Sequence, residues 1–460
     1  MRVQVLGLGK SGIAAARLLS HQGQPTCVSD ERDSPDLRQR QLELQALGIE
    51  VQLGSAFAIH PSTDTVVVSP GIDWYHPVLT AARDRGVTVM GEAELAWQVL
   101  SDVPWVGITG TNGKTTTTAL VAAIFAAAAL NAPACGNIGL PLCSVALQAL
   151  TSGMRPDWII AELSTYQIEA ASSLAPAIGA WTTFTADHLA RHGSMEAYAA
   201  LKASLIRRSR QQVLNDDDAY LSSLHADWPQ ARWVSCQHHH GAAYLQTDAE
   251  DRVWAWFEGE PVLPLDELQL IGEHNHQNLL VAIAIARMAG VNVDCIREAV
   301  ANFAGVPHRL ERVRTINCIQ FVNDSKATNY EAAQVALTSI PGPIVLIAGG
   351  QPKAGDDREW IACIKNKVVA TVLIGEAAEK FRDRLSESEY TDYHLAQTLD
   401  VAVPLAFKLA QTLKEPVMSP ETRTPSITVL LSPACASFDQ YSNFERRGDH
   451  FRQCCAELAG

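Results

Sequence analysis

The fold class of the middle of this 460-residue chain is indicated by one stretch, Gly107-Ile108-Thr109-Gly110-Thr111-Asn112-Gly113-Lys114-Thr115. It follows an apolar run at 105–108 and precedes an alanine-rich helical pattern, which is the strand, loop and helix setting of a phosphate-binding loop. The glycines let backbone amides face phosphate oxygens, and the helix N-terminus adds a positive dipole. Lys114 adds a positive charge, and Thr115 offers a hydroxyl to magnesium. The stretch predicts a nucleotide-binding α/β domain, but the loop alone does not specify a reaction.

Nearer the N-terminus lies another glycine-rich loop, Gly7-Leu8-Gly9-Lys10-Ser11-Gly12, which we call the first glycine loop. It follows a strand-like run at 3–6, and Asp30 ends the next strand-like run. This pattern is the dinucleotide-binding fingerprint. Its amides and helix end can hold any nucleotide diphosphate, not only a nicotinamide cofactor. From these residues a dehydrogenase stays open as an alternative.

Strand-like and helical patterns alternate along the whole chain, which predicts α/β domains with largely parallel sheets. A chain of this length exceeds what one hydrophobic core usually organises. Breaks at 101–104 and 305–307 predict three α/β units, at 1–100, 101–305 and 306–460. We expect a central strand at 180–184, and an irregular or antiparallel excursion at about 215–272.

The composition restricts the partners of the chain. A formal net charge of -14 argues against broad attraction to nucleic acid or to an anionic membrane. The N-terminus reaches glycine too early for a signal peptide, and the apolar helical segment at 119–130 is too short to span a membrane. Ten cysteines without a CxxC pair indicate a reducing compartment. We expect a cytoplasmic, monomeric protein with small-molecule substrates, no nucleic-acid partner and no membrane span.

Charged side chains follow two of the central strand-like runs. Glu162 ends one run, and Asp187-His188 follow the next. The carboxyl ends of parallel strands line the ligand crevice, so these groups are candidates for holding magnesium. Taken singly, a solvated Glu or a hydrogen-bonded His is the commoner outcome. We interpret the triplet at 238–240 as a solvated loop, not as a metal site.

Two polar loops stand out in the last third of the chain. One is 323–329, preceded by Pro307-His308-Arg309, and the other is 432–437. Polar residues crowding a strand end favour a binding loop. An ordinary turn favours the same residue types, so the residues alone leave both interpretations open.

Together these motifs resemble the Mur ligase family in order and approximate spacing, over essentially the whole chain. The segment 432–441, continuing through 444–448, resembles the branch that adds D-glutamate to UDP-N-acetylmuramoyl-L-alanine. The resemblance implies an ATP- and Mg²⁺-dependent amide ligase of peptidoglycan precursor synthesis that acts through an acyl phosphate. It also implies three domains: a Rossmann-like domain at 1–100 that binds the UDP-sugar, a central P-loop ATPase-type domain at 101–305 that binds ATP, and a C-terminal Rossmann-like domain at 306–460 that binds the incoming amino acid.

The resemblance assigns a role to individual residues. ATP is expected at Gly110, Thr111, Asn112, Gly113, Lys114, Thr115, Thr116, Asn275, Asn278, Arg309, Asp324 and Lys326. The UDP-linked substrate is expected at Leu8, Gly9, Lys10, Ser11, Asp30, Arg32, Ser69, Gly71 and Asn137. D-Glutamate is expected at Thr328, Lys353, Ser437, Phe438 and Phe444.

The catalytic set that the resemblance implies is Lys114, Glu162, His188 and Lys202, and the magnesium ligands are Thr115, Glu162, His188 and Lys202. Lys202 occupies the position of a lysine carbamylated by carbon dioxide, a change that converts a cation into an anionic metal ligand. Without the resemblance, Lys202 would be interpreted as a surface helix lysine.

Three alternatives remain beside this interpretation. A dehydrogenase would use the glycine loop at 7–12 and leave the phosphate-binding loop at 107–115 unexplained. A nucleotide-gated binding module would turn ATP over slowly and without regard to D-glutamate. Another Mur ligase, or an enzyme like folylpolyglutamate synthetase, would take a different amino acid.

Overall fold

The computed structural model describes residues 2–352, 355–413 and 427–458, so Lys353 lies outside the described residues. The chain divides into two compact units. The first comprises Met1–Leu268 and His276–Asn302, and the second comprises Gln269–Asn275 and Phe303–Gly460. Both units are α/β structures with mainly parallel sheets, as the sequence predicts.

The first unit begins with a five-stranded parallel sheet in the order β3-β2-β1-β4-β5. Its strands are β1 (Arg2–Leu6), β2 (Thr26–Asp30), β3 (Glu50–Leu53), β4 (Thr63–Val68) and β5 (Thr88–Gly91). Its helices are α1 (Lys10–His21), α2 (Pro35–Gln45), α3 (Pro77–Asp84) and α4 (Glu92–Leu100). The glycine loop joins β1 to α1 at the carboxyl edge of this sheet. A Cβ on Gly12 would lie 1.9 Å from the carbonyl oxygen of Gly7, so only glycine allows the loop to close.

A nine-stranded sheet follows in the order β14-β13-β12-β11-β10-β9-β6-β8-β7. Its strands are β6 (Trp105–Thr109), β7 (Ala134–Gly136), β8 (Ile159–Glu162), β9 (Ile178–Trp181), β10 (Gln211–Asn215), β11 (Arg232–Ser235), β12 (Ala243–Thr247), β13 (Val253–Phe257) and β14 (Glu260–Pro264). The accompanying helices are α5 (Lys114–Ala127), α6 (Leu142–Ser152), α7 (Thr165–Glu169), α8 (Leu189–His192), α9 (Met195–Arg208), α10 (Ala219–Ser222), α11 (His274–Met288) and α12 (Val293–Asn302).

Two details of this sheet differ from the sequence prediction. The strand expected at 180–184 runs from Ile178 to Trp181, and the residues after it form a loop. The antiparallel pairing expected at 215–272 is confirmed for β12, β13 and β14, but these strands extend the same sheet and are not an excursion from it. The reason is that β10, β11 and β12 pair in parallel, which joins β12 to the sheet. Strands β13 and β14 then add to β12 as antiparallel hairpins.

The break at 101–104 forms a tight turn inside a continuous core. Val103 is buried, and the indole N–H of Trp105 donates to the carbonyl oxygen of Leu100 at 3.0 Å. Helices α4 and α6 contribute to one hydrophobic cluster that extends through both sheets of the first unit. The loops at the carboxyl edges of the two sheets are therefore held by one shared core.

The second unit contains a six-stranded sheet in the order β15-β16-β20-β17-β18-β19, parallel except for the pair β15 and β16. Its strands are β15 (Glu311–Ile316), β16 (Ile319–Asn323), β17 (Ile344–Gly349), β18 (Val368–Ile374), β19 (Tyr393–Gln397) and β20 (Ile427–Leu431). Its helices are α13 (Tyr330–Ser339), α14 (Arg358–Lys367), α15 (Ala378–Glu387), α16 (Leu399–Thr412) and α17 (Phe444–Glu457). An apolar cluster covers each face of this sheet. Within the described residues, no helix combines the length and apolar character that crossing a membrane requires.

Candidate functional site

The glycine-lysine-threonine loop joins β6 to α5 in a conformation that needs glycine. Gly110 has φ +152° and Gly113 has φ +83°. A Cβ on Gly110 would lie 2.0 Å from Oγ1 of Thr182, and one on Gly113 would lie 2.5 Å from Oδ1 of Asn278. The loop is therefore packed closely enough for its shape to be fixed before any ligand binds.

Residues directly after β9 hold this loop in place. The backbone N–H of Thr111 donates to the carbonyl oxygen of Thr183 at 2.8 Å, and that of Asn112 donates to Oγ1 of Thr183 at 2.9 Å. Oγ1 of Thr111 donates to the carbonyl oxygen of Thr185 at 3.1 Å. The sequence prediction placed Thr183 in a strand and missed this contact. Only its position beside the P-loop strand could have indicated the contact.

Lys114 begins α5 and folds back over the loop. Its Nζ donates to the carbonyl oxygens of Gly110 and Thr111, both at 2.8 Å. Thr115 and Thr116 are buried in the first turn of the same helix. Oγ1 of Thr117 donates to Oδ1 of Asn278 at 3.2 Å, so Asn278 belongs to this loop. By contrast, Asn275, Arg309, Asp324 and Lys326 belong to the second unit.

Glu162 ends β8 as a buried carboxylate beside Asn137. Its Oε1 accepts a hydrogen bond from Nδ2 of Asn137 at 2.8 Å, and the backbone N–H of Asn137 donates to its carbonyl oxygen at 2.9 Å. Its Oε2 is buried without a hydrogen-bond partner among the described residues. A buried, incompletely bonded carboxylate is costly unless a cation or donor completes it. Asn137, which was predicted for the UDP-linked substrate, lies against the predicted magnesium ligand.

Lys202 lies on α9 but is only 1% exposed, unlike the surface lysine that its helix pattern alone would indicate. Its Nζ donates to the carbonyl oxygen of Gly110 at 2.8 Å and lies 4.5 Å from the centre of the Tyr198 ring. Burial and the positive charge of Lys114 hold the pKa of Lys202 well below its usual value. The structure therefore places the amine of Lys202 beside the P-loop, in surroundings that disfavour its charged form.

His188 directly precedes α8 and has a left-handed backbone conformation, with φ +54°. Its Nε2 lies 3.4 Å from Oδ2 of Asp187, its side chain is half exposed, and its ring contacts that of Tyr166 at 5.5 Å. Four residues later His192 stacks on both Tyr166 and Tyr198, with its Nε2 hydrogen-bonded to Oγ1 of Thr165 at 2.9 Å. Burial lowers the pKa of His192. The sequence prediction missed His192, although its i, i+4 spacing from His188 is typical of side chains that share a helix face.

The first glycine loop gathers several residues predicted for the UDP-linked substrate. The backbone N–H of Leu8 donates to Oδ2 of Asp30 at 2.9 Å, and Nε of Arg32 donates to Oδ1 of Asp30 at 3.2 Å. Burial acts to raise the pKa of Asp30, but the hydrogen bonds from Arg32 and Leu8 prevail and lower it. The side chain of Arg32 is 77% exposed, so it can contact a ligand. Oγ of Ser69 donates to the carbonyl oxygen of Gly7 at 3.2 Å.

Four other residues predicted for this substrate differ in exposure. Lys10 and Gly71 are exposed, and Gly9 and Ser11 are half-buried. All four lie at the carboxyl edge of the five-stranded sheet, where a ligand over the glycine loop would reach them.

A small, partly open pocket lies within the first unit between β4 and α7. Its lining includes Ser69, Trp74, Glu92, Tyr166, Glu169 and Arg191. It therefore adjoins both the first glycine loop and the segment of His188.

In the second unit, Asp324 and Arg447 organise the two polar loops. The carboxylate of Asp324 is buried and accepts hydrogen bonds from the backbone N–H of Leu310 at 3.2 Å and from Oγ of Ser432 at 2.9 Å. Burial raises the pKa of Asp324 to about 7. The guanidinium of Arg447 donates to Ser325 and to the carbonyl oxygens of Cys435 and Ala436. The sequence indicated no role for Arg447. In the structure, this residue joins the loops at 323–329 and 432–437.

The residues predicted for D-glutamate surround these loops. Ser437 is buried, Thr328 and Phe444 are half-buried, and Phe438 is 67% exposed. Nζ of Lys326 lies 5.9 Å from the centre of the Phe444 ring. This set therefore shares one edge of the C-terminal sheet, with Lys353 outside the described residues.

The residues around the P-loop suit magnesium. The proposed ligands include a carboxylate and a threonine hydroxyl, the hard oxygen donors that Mg²⁺ prefers. The incompletely bonded Oε2 of Glu162 is an anionic oxygen that a cation would complete. Lys114 and the loop amides suit a phosphate group beside it.

Comparisons with known proteins agree with this arrangement. The chain matches the descriptions "Mur ligase MurD-like, N-terminal domain" at residues 1–91, "Mur ligase middle domain" at 108–286 and "Mur ligase, glutamate ligase domain" at 308–417. It is 50% identical over 465 residues to the UDP-N-acetylmuramoylalanine–D-glutamate ligase of Gloeothece citriformis, covering 99% of this chain and 100% of that protein. It is 51% identical over 471 residues to the enzyme of the same name from Thermosynechococcus vestitus, covering 99% of both chains.

Solved structures show the same fold at low sequence identity. The UDP-N-acetylmuramate–alanine ligase MurC of Thermotoga maritima has a TM-score of 0.62 at 19% identity, over 99% of both chains. A pseudomurein peptide ligase type C from Methanothermus fervidus has a TM-score of 0.57 at 17% identity, over the whole of both chains. With half of its residues shared over nearly full length, the chain belongs to the Mur ligase family, in the branch of the UDP-N-acetylmuramoylalanine–D-glutamate ligases.

Proposed function

We propose that this protein joins D-glutamate to UDP-N-acetylmuramoyl-L-alanine at the expense of ATP, in the cytoplasmic synthesis of peptidoglycan precursors. The reaction is the one that the names of its half-identical relatives state for them. The observation that carries the proposal is that Lys114 and Lys202 share the carbonyl oxygen of Gly110, while Glu162 ends the strand paired with β6 at the same carboxyl edge of the central sheet. A monomer suffices for this chemistry, because the chain itself supplies every proposed group.

The chemistry requires activation, because a carboxylate is a poor acylating agent at neutral pH. An oxygen of the L-alanyl carboxylate attacks the γ-phosphorus of ATP, and the bond from that phosphorus to the β-γ bridging oxygen breaks, releasing ADP. The amine of D-glutamate then attacks the carbonyl carbon of the acyl phosphate. A C–N bond forms, the C–O bond to phosphate breaks, and the amine loses a proton as inorganic phosphate leaves.

The chain contributes position and charge to the first step. Loop amides and Lys114 hold the triphosphate, while the hydroxyl of Thr115, the carboxylate of Glu162 and the imidazole of His188 would hold magnesium. When bound, magnesium neutralises phosphate oxygens that approach the attacking carboxylate. Asn137 fixes the orientation of Glu162 through the hydrogen bond at 2.8 Å.

We assign the remaining magnesium ligand to a carbamate on Lys202. The neutral amine attacks the carbon of carbon dioxide, an N–C bond forms, and one proton leaves the nitrogen, which gives an anionic carbamate. The lowered pKa of Lys202 supports this step because only the unprotonated amine is nucleophilic. The charge of Lys114 that disfavours an ammonium at Lys202 would favour a carbamate there.

The sites of the other two substrates are assigned from the loops in which their predicted binding residues lie. The diphosphate of the UDP-sugar lies over the first glycine loop, with Arg32 as an accessible cation. D-Glutamate lies beside the loops at 323–329 and 432–437, together with Lys353. We keep 1–100, 101–305 and 306–460 as the three domains, with ATP contacted by the second and by Asn275, Arg309, Asp324 and Lys326.

Phosphate release tests the proposal against its alternatives. With ATP, Mg²⁺ and UDP-N-acetylmuramoyl-L-alanine present, a panel of amino acids should release phosphate only with D-glutamate. Release with another amino acid would indicate a different ligase, and slow release without regard to amino acid would indicate a binding module. An increase in NADH fluorescence on adding the protein would favour a dehydrogenase.

A further inference from the structure

Arg191 connects three segments of the first unit that are far apart in sequence. It lies in α8, where its backbone N–H donates to the carbonyl oxygen of His188 at 2.9 Å. Its guanidinium lies 2.7 Å from Oε2 of Glu169 at the end of α7. It also lies 3.3 Å from Oδ1 of Asp73, in the loop after β4. Only 21% of the Arg191 side chain is exposed, so these contacts are partly shielded from water and salt.

Aromatic rings complete the surroundings of this guanidinium. Its central carbon lies 5.6 Å from the ring centre of Tyr75 and 5.7 Å from that of Tyr166, distances typical of cation–π contacts. The hydroxyl of Tyr75 also interacts with the carboxylate of Glu169. The ring of Tyr166 also contacts that of His188. Arg191 is thus held by both carboxylates and both rings, and its position depends on all three segments.

The connected segments carry groups with different proposed roles. The loop after β4 contains Ser69 and Gly71, assigned above to the UDP-linked substrate. Helix α8 begins directly after His188, assigned above to magnesium. The pocket between β4 and α7 is lined by residues from both sides, including Ser69 and Arg191. A ligand that orders the loop after β4 would therefore restrict Asp73, and through Arg191 the turn that presents His188.

We propose that Arg191 is a positioning residue through which binding of the UDP-sugar substrate orders the His188 segment and so tightens the magnesium site. The inference rests on the proposed function, because it takes the substrate and metal assignments from there. Coupling of this kind is reciprocal, so a bound divalent metal must tighten substrate binding by the same factor. If the ion pairs of Arg191 only stabilised the fold, their removal would lower the melting temperature and leave the coupling factor unchanged.

Equilibrium binding tests the coupling without turnover. Calorimetry measures the Kd of UDP-N-acetylmuramoyl-L-alanine with and without Mn²⁺, with a non-hydrolysable ATP analogue present throughout. We expect Mn²⁺ to lower this Kd at least about fivefold in the wild type. Asp73→Asn and Arg191→Gln should abolish the effect, and Arg191→Lys should retain part of it because it keeps the charge but not the planar fork.

Arg252→Gln is the matched control. Arg252 pairs with Asp266 at 2.7 Å and lies 5.5 Å from the ring centre of Trp254, so it has a similar environment at the hairpin edge of the central sheet. This variant should retain the full coupling. Because Asp73 is 56% exposed, Asp73→Asn tests the inference even if the Arg191 variants fail to fold.

The outcomes separate this inference from the proposed function. Absence of coupling in the wild type, or full coupling in Asp73→Asn, overturns the inference. A wild type that shows the coupling but releases no phosphate with D-glutamate contradicts the proposed reaction and supports the coupling. A wild type that releases phosphate with D-glutamate but shows no coupling supports the proposed reaction and contradicts the inference.

Discussion

Nζ of Lys202 and the carbonyl oxygen of Gly110 are 2.8 Å apart, and the same oxygen accepts a hydrogen bond from Nζ of Lys114 at 2.8 Å. Two ammonium groups on one buried oxygen would repel each other, so one of the lysines is driven toward its neutral form. Burial identifies Lys202 as that residue, since its side chain is almost wholly enclosed. The loop beside which the proposed carbamate would act therefore also favours the unprotonated amine from which that carbamate would form.

Replacement of Lys202 by alanine should lower the rate of ligation at least roughly 100-fold, the scale expected when a charge-stabilising group is removed. Formate or acetate should restore part of the rate by placing a carboxylate where the carbamate stood. Steady-state phosphate release with and without these anions measures both effects. Lys408→Ala, which changes an exposed lysine on α16, is the control and should respond to neither anion. Full activity of Lys202→Ala without added anions would refute the role of Lys202.

Glu162→Gln should separate stability from activity. The substitution removes a buried charge whose Oε2 has no hydrogen-bond partner among the described residues, while the remaining carbonyl oxygen can still accept from Asn137. We expect the metal-free variant to melt at or above the wild-type temperature and to need at least about tenfold more Mg²⁺ for half-maximal activity. Thermal melts in EDTA and Mg²⁺ titrations of phosphate release measure the two effects. An unchanged Mg²⁺ requirement would exclude Glu162 as a ligand.

Glu92 should make the stability of the protein depend on pH. Its buried carboxylate accepts from the backbone N–H of Cys143 at 2.5 Å, and burial raises its pKa from 4.5 to about 7. Because the folded state holds the proton more tightly than the unfolded state, stability falls as pH rises between 4.5 and 7, by up to about 3 kcal/mol. Urea unfolding at pH 5.5 and pH 8 should show this loss in the wild type and a smaller one in Glu92→Gln. An equal loss in both proteins would contradict the assignment.

Asp324 titrates in the same range, because burial raises its pKa to about 7 as well. Its contribution stays constant between the wild type and Glu92→Gln. The difference between those two proteins therefore isolates Glu92.

Arg447→Lys should impair D-glutamate binding more than binding of the other substrates. Lysine keeps the charge but cannot bond at once to Ser325 and to the carbonyl oxygens of Cys435 and Ala436. We expect a stability loss of about 3 kcal/mol, together with a higher KM for D-glutamate and an unchanged KM for the UDP-linked substrate. Arg446→Lys is the neighbouring control, because Arg446 is exposed. A uniform change in both KM values would indicate a general loss of structure.

The sequence predicted the parts of this protein that depend on local pattern. Strands such as Val368–Ile374 and Ile427–Leu431 are continuous apolar runs, and both glycine loops follow such runs, so periodicity was enough to place them. The burial of Lys202 could not be read from its helix, because only the packing of α9 against the P-loop encloses it. Likewise Arg447 gains its contacts from segments distant in sequence, and no local spacing encodes those contacts.

Phosphate release by the purified protein with ATP and Mg²⁺ tests the central claim most directly. The account predicts release when UDP-N-acetylmuramoyl-L-alanine and D-glutamate are both present, with one phosphate per amide formed, and little release when either is omitted. Release that ignores D-glutamate, or no binding of ATP in the presence of Mg²⁺, would contradict it.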